Sequence, residues 1–431
     1  MKILIVSYDF YPEAKPNTYR WFNIAKKWVD EGIEVHVITA NKNAYLEFEE
    51  IEGVKIYRTT EYFLGNLKYK FRGNLQINSL DMNRQRITFK VAVKKMFRKI
   101  YDLTWSNLYW PDHSFLWQFS AVPMASKIID ENKIDKLITV SWTFSAHRIG
   151  YKLANKHKNL YWLADTIDPF SYNAKVNNTF LYGKLNRAFE KKIFEKADLN
   201  CVLTDRIRKK YVSLFPNLEN KIVVNNNVFI PTDYNYSNEK SLEEKKIKIV
   251  FLGTLSTSTR SPENLLILLK KLVIRYPDLN FTFDFYGDLT DTVILFQQYP
   301  QLLNDHIKLN GFIDRTQLNL VIKNADVLLN IGNNNEYQEP SKLIEYMYSG
   351  KKILNICSIM NDTSAELLKI YPLSLSIFSD EIDHMESVEK MVDFFQKDAI
   401  IDEESLKSIL KDYLFENVAN KYLSFISERK Q

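Results

Sequence analysis

Short apolar runs that alternate with helix-spaced apolar residues constrain the fold of this chain most strongly. Near its start, the run KILIVS is followed by apolar residues at helical spacing between Trp21 and Val29, and then by VHVIT. A strand, a helix and a strand in this order form a βαβ unit with buried parallel strands. The same alternation resumes after residue 135 and again after residue 247. The sequence therefore predicts an α/β protein with two doubly wound domains.

A charged segment without apolar periodicity, residues 231–247, separates the two later series of strands. We therefore place an N-terminal domain at 1–235 and a C-terminal domain at 246–405. The sequence from 404 to 428 has a helical pattern, so we expect a C-terminal helix at 406–431 that can pack back on the N-terminal domain.

The region of about 60–120 interrupts the alternation, and we interpret it as an insertion into the first domain. Between Phe63 and Trp110 it carries ten Lys or Arg residues and two Asp residues, whereas the whole chain has a net charge of only +5. Two interpretations stay open for residues 60–105. One is an amphipathic helix on an anionic membrane surface, which we favour slightly because the charge is one-sided; the other is a packed helix with a solvated basic rim.

Composition excludes several classes of protein. The two cysteines lie in apolar runs, which favours buried thiols over disulfides. No apolar run approaches the roughly 18 residues that span a membrane, and the apolar start is too short for a signal peptide. We therefore expect a cytoplasmic location, peripheral to the inner face of the plasma membrane if the insertion binds lipid. The mild charge and the lack of zinc-finger or basic-zipper spacing argue against a nucleic-acid partner.

The most specific motif is EPSKLIEYMYSGKKIL, residues 339–354. A strand-like run ends in a polar loop, and a proline then starts a helix. Free amides of Ser341, Lys342 and Leu343 at this helix start, together with the helix dipole, would suit a diphosphate. Glu345 follows one turn later and could accept two hydrogen bonds from ribose hydroxyls. An ordinary capped helix with a surface glutamate is the alternative interpretation.

Other cofactor motifs are missing from the sequence. It contains no Asp-x-Asp triplet and no His/Cys cluster, so we expect no metal and no cofactor. No Gly-x-Gly-x-x-Gly follows the first strand, which counts against a dinucleotide oxidoreductase, and no Walker sequence indicates a P-loop kinase.

Together these motifs resemble the family 4 glycosyltransferases, which have the GT-B fold. PSKLIEYMYSGKKIL is similar to the signature of that family, and so are WPDHSFLWQF, VSWTFSAHRIG, LADTIDPF, EKADLNCVLT, LGTLSTSTRSPENLL, GFIDR and NADVLL, in this order. The resemblance implies two Rossmann-like domains that face each other across a cleft. It also implies metal-independent transfer of a sugar from a nucleotide diphosphate with retention of the anomeric configuration.

On the donor side, the resemblance implies that Glu345 holds the ribose and that the amides of residues 341–343 cradle the diphosphate. Arg260 would neutralise the departing diphosphate. Further donor-side residues implied in the same way are Gly253, Thr254, Phe312, Ile313 and the first-loop residues Asn17, Thr18 and Arg20. The chain departs from the family pattern at Tyr337, where a glutamate is common, and Glu336 could replace it.

On the acceptor side, the resemblance places Asp168 in an Asp-Pro-aromatic motif, with Asp165 just before it and His147 at a helix start. Because the departing phosphate is proposed to take the proton in this family, these three residues would orient the acceptor. The alternatives are a turn-forming role for Asp168 and local packing of His147.

The resulting prediction is a retaining glycosyltransferase of cell-envelope polysaccharide synthesis, such as capsule or O-antigen. Its donor would be a nucleotide-sugar, with UDP favoured over GDP, and its acceptor a glycan or a lipid-linked glycan. A catalytically degenerate nucleotide- or glycan-binding scaffold stays open because of Tyr337. A nucleotide-sugar 2-epimerase of the same fold is a third alternative, although no motif indicates it.

Overall fold

The computed structural model describes residues 1–13, 15–42, 45–60, 109–141, 143–172, 179–229, 246–340 and 342–427. The basic part of the expected insertion, most of the linker and Ser341 lie outside these residues. The described chain forms two compact units. The second unit runs from Phe229 to Leu414, and the first holds the residues before it together with those from Phe415 onward.

The first unit is built on a twisted, mostly parallel sheet with the strand order β3-β4-β2-β1-β5-β6-β7-β8 among the described residues. Its strands are β1 (Lys2–Ser7), β2 (Glu34–Asn41), β3 (Phe48–Ile51), β4 (Val54–Thr60), β5 (Lys136–Ser141), β6 (Tyr161–Thr166), β7 (Leu199–Val202) and β8 (Ile222–Val224). Only the β3–β4 hairpin among the described pairs is antiparallel. The central strands are buried along nearly their whole length, which explains their uninterrupted apolar runs.

Helices cover this sheet. They are α1 (Pro16–Asp30), α2 (Gln118–Asn132), α3 (Ser145–Lys156), α4 (Thr179–Lys196) and α5 (Asp205–Leu214), with 3-10 turns at Phe115–Trp117 and Pro216–Lys221. Trp21, Ile24, Ala25 and Trp28 of α1 are fully buried, so their helical spacing does mark the face that packs on the sheet.

The second unit has a parallel sheet with the strand order β11-β10-β9-β12-β13-β14 in the described chain. The strands are β9 (Ile247–Leu252), β10 (Phe281–Tyr286), β11 (Ile307–Gly311), β12 (Val327–Ile331), β13 (Lys352–Ile356) and β14 (Ser374–Ile377). The helices are α6 (Glu263–Arg275), α7 (Val293–Gln297), α8 (Pro300–Asp305), α9 (Arg315–Lys323), α10 (Lys342–Tyr348), α11 (Thr363–Leu368), α12 (Met385–Gln396) and α13 (Glu403–Ile409).

The chain from 404 to 428 is not one helix. It forms α13, a 3-10 turn at Lys411–Tyr413, and then α14 (Phe415–Ser427). Leu406 and Leu410 are buried in the core of the second unit, whereas Val418 and Tyr422 of α14 are buried in the core of the first. The helix breaks because the apolar residues on its two sides belong to different cores.

Among the described residues, no helix combines the length and the apolar character that crossing a membrane requires.

Candidate functional site

The candidate site lies where the strand order of the second unit reverses. β9 is hydrogen-bonded to β10 on one side and to β12 on the other, so successive crossovers run in opposite directions from it. In open parallel sheets, ligands bind outside the carboxyl ends of the strands at such a switch point. Two loops leave the sheet there: one follows β9 from Gly253, and the other follows β12 from Gly332.

Glycines allow the strand ends to approach closely. The Gly253 amide donates to Tyr286 O at 2.9 Å, and the Gly287 amide donates to Gly311 O at 2.7 Å. Gly287 has a φ of +124°, and a Cβ added to it would stand 1.9 Å from Gly253 O. Only glycine fits at position 287, so this contact fixes where the backbone of Gly253 lies.

Arg260 is brought to the switch point by a tight turn after β9. Ser256 and Arg260 exchange two backbone hydrogen bonds of 3.0 and 2.9 Å. The turn folds the Arg260 guanidinium back over the strand end, where Nη1 lies 3.4 Å from the position that a Cβ on Gly253 would take. Burial lowers the pKa of Arg260, and the neighbouring Tyr346 and Asp362 act in the opposite direction. The guanidinium nevertheless stays charged, because its ordinary pKa is far above neutrality.

Asn333 orients this arginine and was missed by the sequence reasoning. Its Oδ1 accepts from Arg260 Nε at 3.2 Å, and its Nδ2 donates to Gln338 O at 3.1 Å. Thr363 Oγ1 donates to the same carbonyl at 2.9 Å. Asn333 thus ties the loop after β9 to the loop after β12. The only available signal was a polar residue two positions after a buried strand.

Helix α10 carries the predicted motif and is fastened to β9. The Leu252 amide donates to Tyr346 Oη at 3.1 Å, and burial raises the pKa of Tyr346. Lys342 and Glu345 are partly exposed, while Leu343 is buried. The sequence predicts a free amide at Leu343, but this amide donates to Pro340 O at 3.1 Å. The prediction of a free amide is therefore wrong at Leu343, because the first turn of the helix closes on itself there.

The loop before α10 holds the remaining acidic candidates. The Tyr337 amide donates to Asn335 Oδ1 at 2.8 Å, and Asn361 Nδ2 donates to Glu336 Oε1 at 3.3 Å. Glu336 is exposed. Glu339 is partly buried, and burial, reinforced by a nearby carboxylate, raises its pKa to about 7.

The other donor-side residues of the second unit stand at the same end of the sheet. Thr254 is the second residue after β9 and is exposed. Phe312 and Ile313 follow β11, with the Phe312 ring exposed and the Ile313 side chain partly buried.

The first-loop residues lie in the first turns of α1 rather than in a loop, because Pro16 already starts that helix. Among the described residues, Asn17 Oδ1 and Thr18 Oγ1 are buried without a hydrogen-bond partner. Arg20 points inward and is almost completely buried.

Asp165 is fully buried in the first unit and belongs to a network with Arg20. Its Oδ2 accepts from Arg20 Nη1 and from Trp21 Nε1, each at 3.1 Å. Its Oδ1 accepts from Tyr422 Oη of α14 at 2.6 Å. Burial is the largest single effect and would lower the pKa of Arg20, but Asp165, Tyr422 and Cys201 together outweigh it and the pKa is raised. Its hydrogen-bond partners all come from within the unit, and this supports a role of Asp165 in stabilising the fold.

His147 is likewise interior. Its Nδ1 lies 2.7 Å from Thr139 Oγ1 and its Nε2 lies 3.1 Å from Thr166 Oγ1. Burial lowers the pKa of His147 to about 3, so the imidazole is neutral near pH 7 and both nitrogens are occupied. These contacts support the packing alternative for His147.

Asp168 lies in a loop that is held by a buried glutamate. Asp168 itself is partly exposed. Glu190 of α4 accepts hydrogen bonds from the Phe170 amide at 2.9 Å, the Ser171 amide at 3.3 Å and Tyr211 Oη at 2.6 Å, and it also accepts from Ser171 Oγ. Burial raises the pKa of Glu190, against the effect of these donors. Glu190 had no local signal in the sequence, since its partners are 19 to 21 residues away.

Within the described part of the chain, no group of three or more His, Cys, Asp or Glu side chains is arranged to hold a metal ion.

Solved structures with the same architecture decide the fold class. A glycosyltransferase from Rickettsia africae matches with a TM-score of 0.58 and 14% identity, covering 99% of this chain and 97% of that one. Anabaena HepE in complex with UDP-glucose matches with a TM-score of 0.60 and 13% identity, covering 99% of both chains. A TarM variant from S. aureus in complex with fondaparinux, alpha-GlcNAc-glycerol and UDP matches with a TM-score of 0.59 and 12% identity, covering 99% and 100%.

The fold is GT-B. This confirms the fold class that the sequence predicts. Protein-family models give no match to the sequence, and a search of curated proteins gives none either. The likeness to GT-B structures therefore stands on the arrangement of strands and helices over nearly the whole chain.

Proposed function

We propose that this protein is a retaining glycosyltransferase of the family 4 type, which moves a sugar from a nucleotide diphosphate to a glycan or a lipid-linked glycan. The observation that carries the proposal is the placement of Arg260 at the switch point of a GT-B second unit, beside Gly253 and oriented by Asn333. Solved GT-B structures that contain UDP-glucose or UDP support UDP over GDP as the nucleotide of the donor.

The chemistry explains why a half-buried, oriented arginine suits this site. Cleavage of the sugar–phosphate bond leaves negative charge on the diphosphate. A guanidinium forms paired, charge-assisted hydrogen bonds with phosphate oxygens. Asn333 restrains Arg260 before the donor arrives, so less reorganisation is needed as charge develops.

The remaining donor contacts are assigned by the resemblance. Glu345, partly exposed on α10, would hold the ribose. Lys342 would approach the diphosphate, and Glu336 would take the sugar contact that Tyr337 lacks. Asp168 would orient the acceptor from the loop that Glu190 holds, while the departing phosphate accepts the acceptor's proton. Under this scheme no protein nucleophile and no metal are needed, so chelation with EDTA should leave turnover unchanged.

A donor screen tests the proposal directly. Thermal unfolding is measured with a series of UDP- and GDP-sugars, because a ligand at 100 times its Kd raises the free energy of unfolding by about 2.7 kcal/mol. The donor that stabilises the protein should then be hydrolysed slowly without acceptor. Stabilisation by no nucleotide-sugar would contradict the proposal.

Arg260→Ala then tests the leaving-group role. We expect the turnover of donor hydrolysis to fall by about 10²–10³, as for the loss of one oxyanion-type donor, while donor affinity changes less. The matched control is Arg275→Ala, an exposed arginine in the same unit. A pure affinity defect in the Arg260 variant would show that the arginine only binds the donor.

A nucleotide- or glycan-binding scaffold is the second candidate, favoured by Tyr337 in place of the common glutamate. Tight donor binding without turnover across a broad acceptor panel would support the scaffold. Restoration of turnover by Tyr337→Glu would show instead that an enzyme has lost one contact.

We also propose a cytoplasmic enzyme of envelope polysaccharide synthesis, peripheral to the inner face of the plasma membrane. The basic residues of the segment 60–105, of which 61–105 lie outside the described structure, support this location by charge alone. Replacing Lys94, Lys95 and Lys99 by glutamate should release the protein from anionic vesicles; unaltered partitioning would favour a packed helix.

A further inference from the structure

Helix α4 presents large apolar side chains to solvent at its first two turns. Phe180 is 97% exposed, Leu181 52% and Leu185 47%. Single exposed apolar residues are common on protein surfaces, but adjacent ones on one helix face are not. Exposing them has a free-energy cost that a partner of matching chemistry would remove.

The exposed face of α4 is also strongly basic. Its exposed cations are Lys184, Arg187, Lys191 and Lys192. At about 100° per residue, these cations and the three apolar residues fall within one arc of about 160° of the helix circumference. The opposite side carries Asn186, Glu190 and Ile193, all of which are buried. Apolar and cationic side chains thus share one surface, and this combination is typical of helices that lie at a membrane interface.

Few carboxylates neutralise these cations. Lys191 lies 3.7 Å from Glu195, the one exposed acid of the helix. Among the described residues, Lys184, Arg187 and Lys192 form no ion pair. Arg187 and Lys210 of α5 instead both lie over the Tyr172 ring, 5.2 and 5.5 Å from its centroid. The positive surface therefore continues from α4 onto α5.

We propose that the N-terminal half of α4 docks on an anionic lipid bilayer, with Phe180 and Leu181 inserted among the acyl chains and Lys184 and Arg187 at the headgroups. Charge complementarity favours lipid over an apolar protein groove, because the cations lie beside the apolar residues and three of them form no ion pair with a described carboxylate. The inference extends the membrane association proposed above to a second, described surface. It rests on that association and not on sugar transfer.

Vesicle co-sedimentation of the full chain tests this surface. The wild type should bind vesicles of phosphatidylcholine mixed with phosphatidylglycerol and bind pure phosphatidylcholine weakly. Phe180→Ser together with Leu181→Ser should reduce binding about tenfold, since burial of these two side chains supplies the apolar share of the affinity. The matched control is Ile274→Ser, a 73% exposed apolar residue of the second unit, which should bind like the wild type.

A second variant and the oligomeric state complete the test. Lys184→Glu with Arg187→Glu should abolish the preference for anionic lipid while the thermal unfolding temperature stays unchanged, because surface substitutions cost little stability. Wild-type-like binding by the Phe180/Leu181 variant would overturn the proposal, and so would failure of the wild type to bind anionic vesicles. A wild-type dimer that this variant converts to a monomer, with vesicle binding intact, would show that the surface joins two copies of the chain. Donor hydrolysis, measured without vesicles, reports separately on the proposed enzymatic function.

Discussion

Replacing Asp165 by asparagine should destabilise the first unit strongly. The substitution keeps the shape of the side chain and removes its charge. Arg20 is almost completely buried beside it, and its guanidinium would lose the one carboxylate within hydrogen-bonding distance among the described residues. Breaking a buried ion pair from one side costs about 3–5 kcal/mol, since an uncompensated charge stays in the interior.

This loss can be measured as a shift in thermal unfolding. For a unit of this size, 1 kcal/mol lowers the unfolding temperature by about 2–4 °C, so Asp165→Asn should lower it by roughly 6–20 °C. Circular dichroism of the wild type and the variant gives the shift. Asp30→Asn, at an exposed aspartate of the same unit, is the matched control and should change little.

A double variant separates the ion pair from the individual side chains. Arg20→Met combined with Asp165→Asn removes both charges, so its loss of stability should be smaller than the sum of the two single losses. The reasoning is refuted if Asp165→Asn unfolds within about 2 °C of the wild type but loses sugar transfer to an acceptor. Such a result would return Asp165 to the acceptor-orienting role that the sequence predicts.

Three further predictions concern charge and backbone geometry. The pKa of Glu339, raised to about 7 from an ordinary 4.5 mainly by burial, means that the folded state holds a proton that the unfolded state has lost; stability should fall as the pH rises from 4.5 to 7. Glu339→Gln should flatten that decline in unfolding temperature, and an unchanged pH profile would exclude this carboxyl as its source. Glu190→Ala leaves two backbone amides and two hydroxyls unpaired and should cost at least about 3 kcal/mol in urea unfolding; a loss below 1 kcal/mol would mean that water replaces the carboxylate. Gly287→Ala should weaken donor binding as well as stability, because its Cβ would collide with Gly253 O. Wild-type donor affinity in this variant would show that this strand end does not contribute to donor binding.

The sequence predicts the architecture well because each buried strand of a doubly wound sheet is a short, continuous apolar run. KILIVS became β1 and DVLLNIG contains β12, since burial on both faces requires an unbroken apolar run. The break between α13 and α14 was not visible, because apolar residues on both sides of it continue a helical spacing. Apolar residues at helical spacing indicate that one face of a helix is buried, but not against which core that face packs.

The candidate site was only partly predictable, for a related reason. Arg260 was found through its motif, but its orienting partner Asn333 is 73 residues away. Asp165 looked accessible beside Asp168, although its partners Arg20 and Tyr422 lie 145 and 257 residues away and enclose it. Hydrogen bonds between distant residues leave no periodic trace in the sequence, so burial of a polar residue is the property that sequence reasoning misjudges most easily.

The position of α14 at the end of the sequence affects the order in which the two units can fold during synthesis. The first unit is encoded in two pieces that are separated by the whole of the second unit. Tyr422 supplies a hydrogen bond to Asp165, and Val418 and Ile426 fill the same core. The first unit therefore cannot complete its core on the ribosome until the second has been translated. The described residues of the second unit form one continuous stretch of sequence, so its folding does not wait for α14.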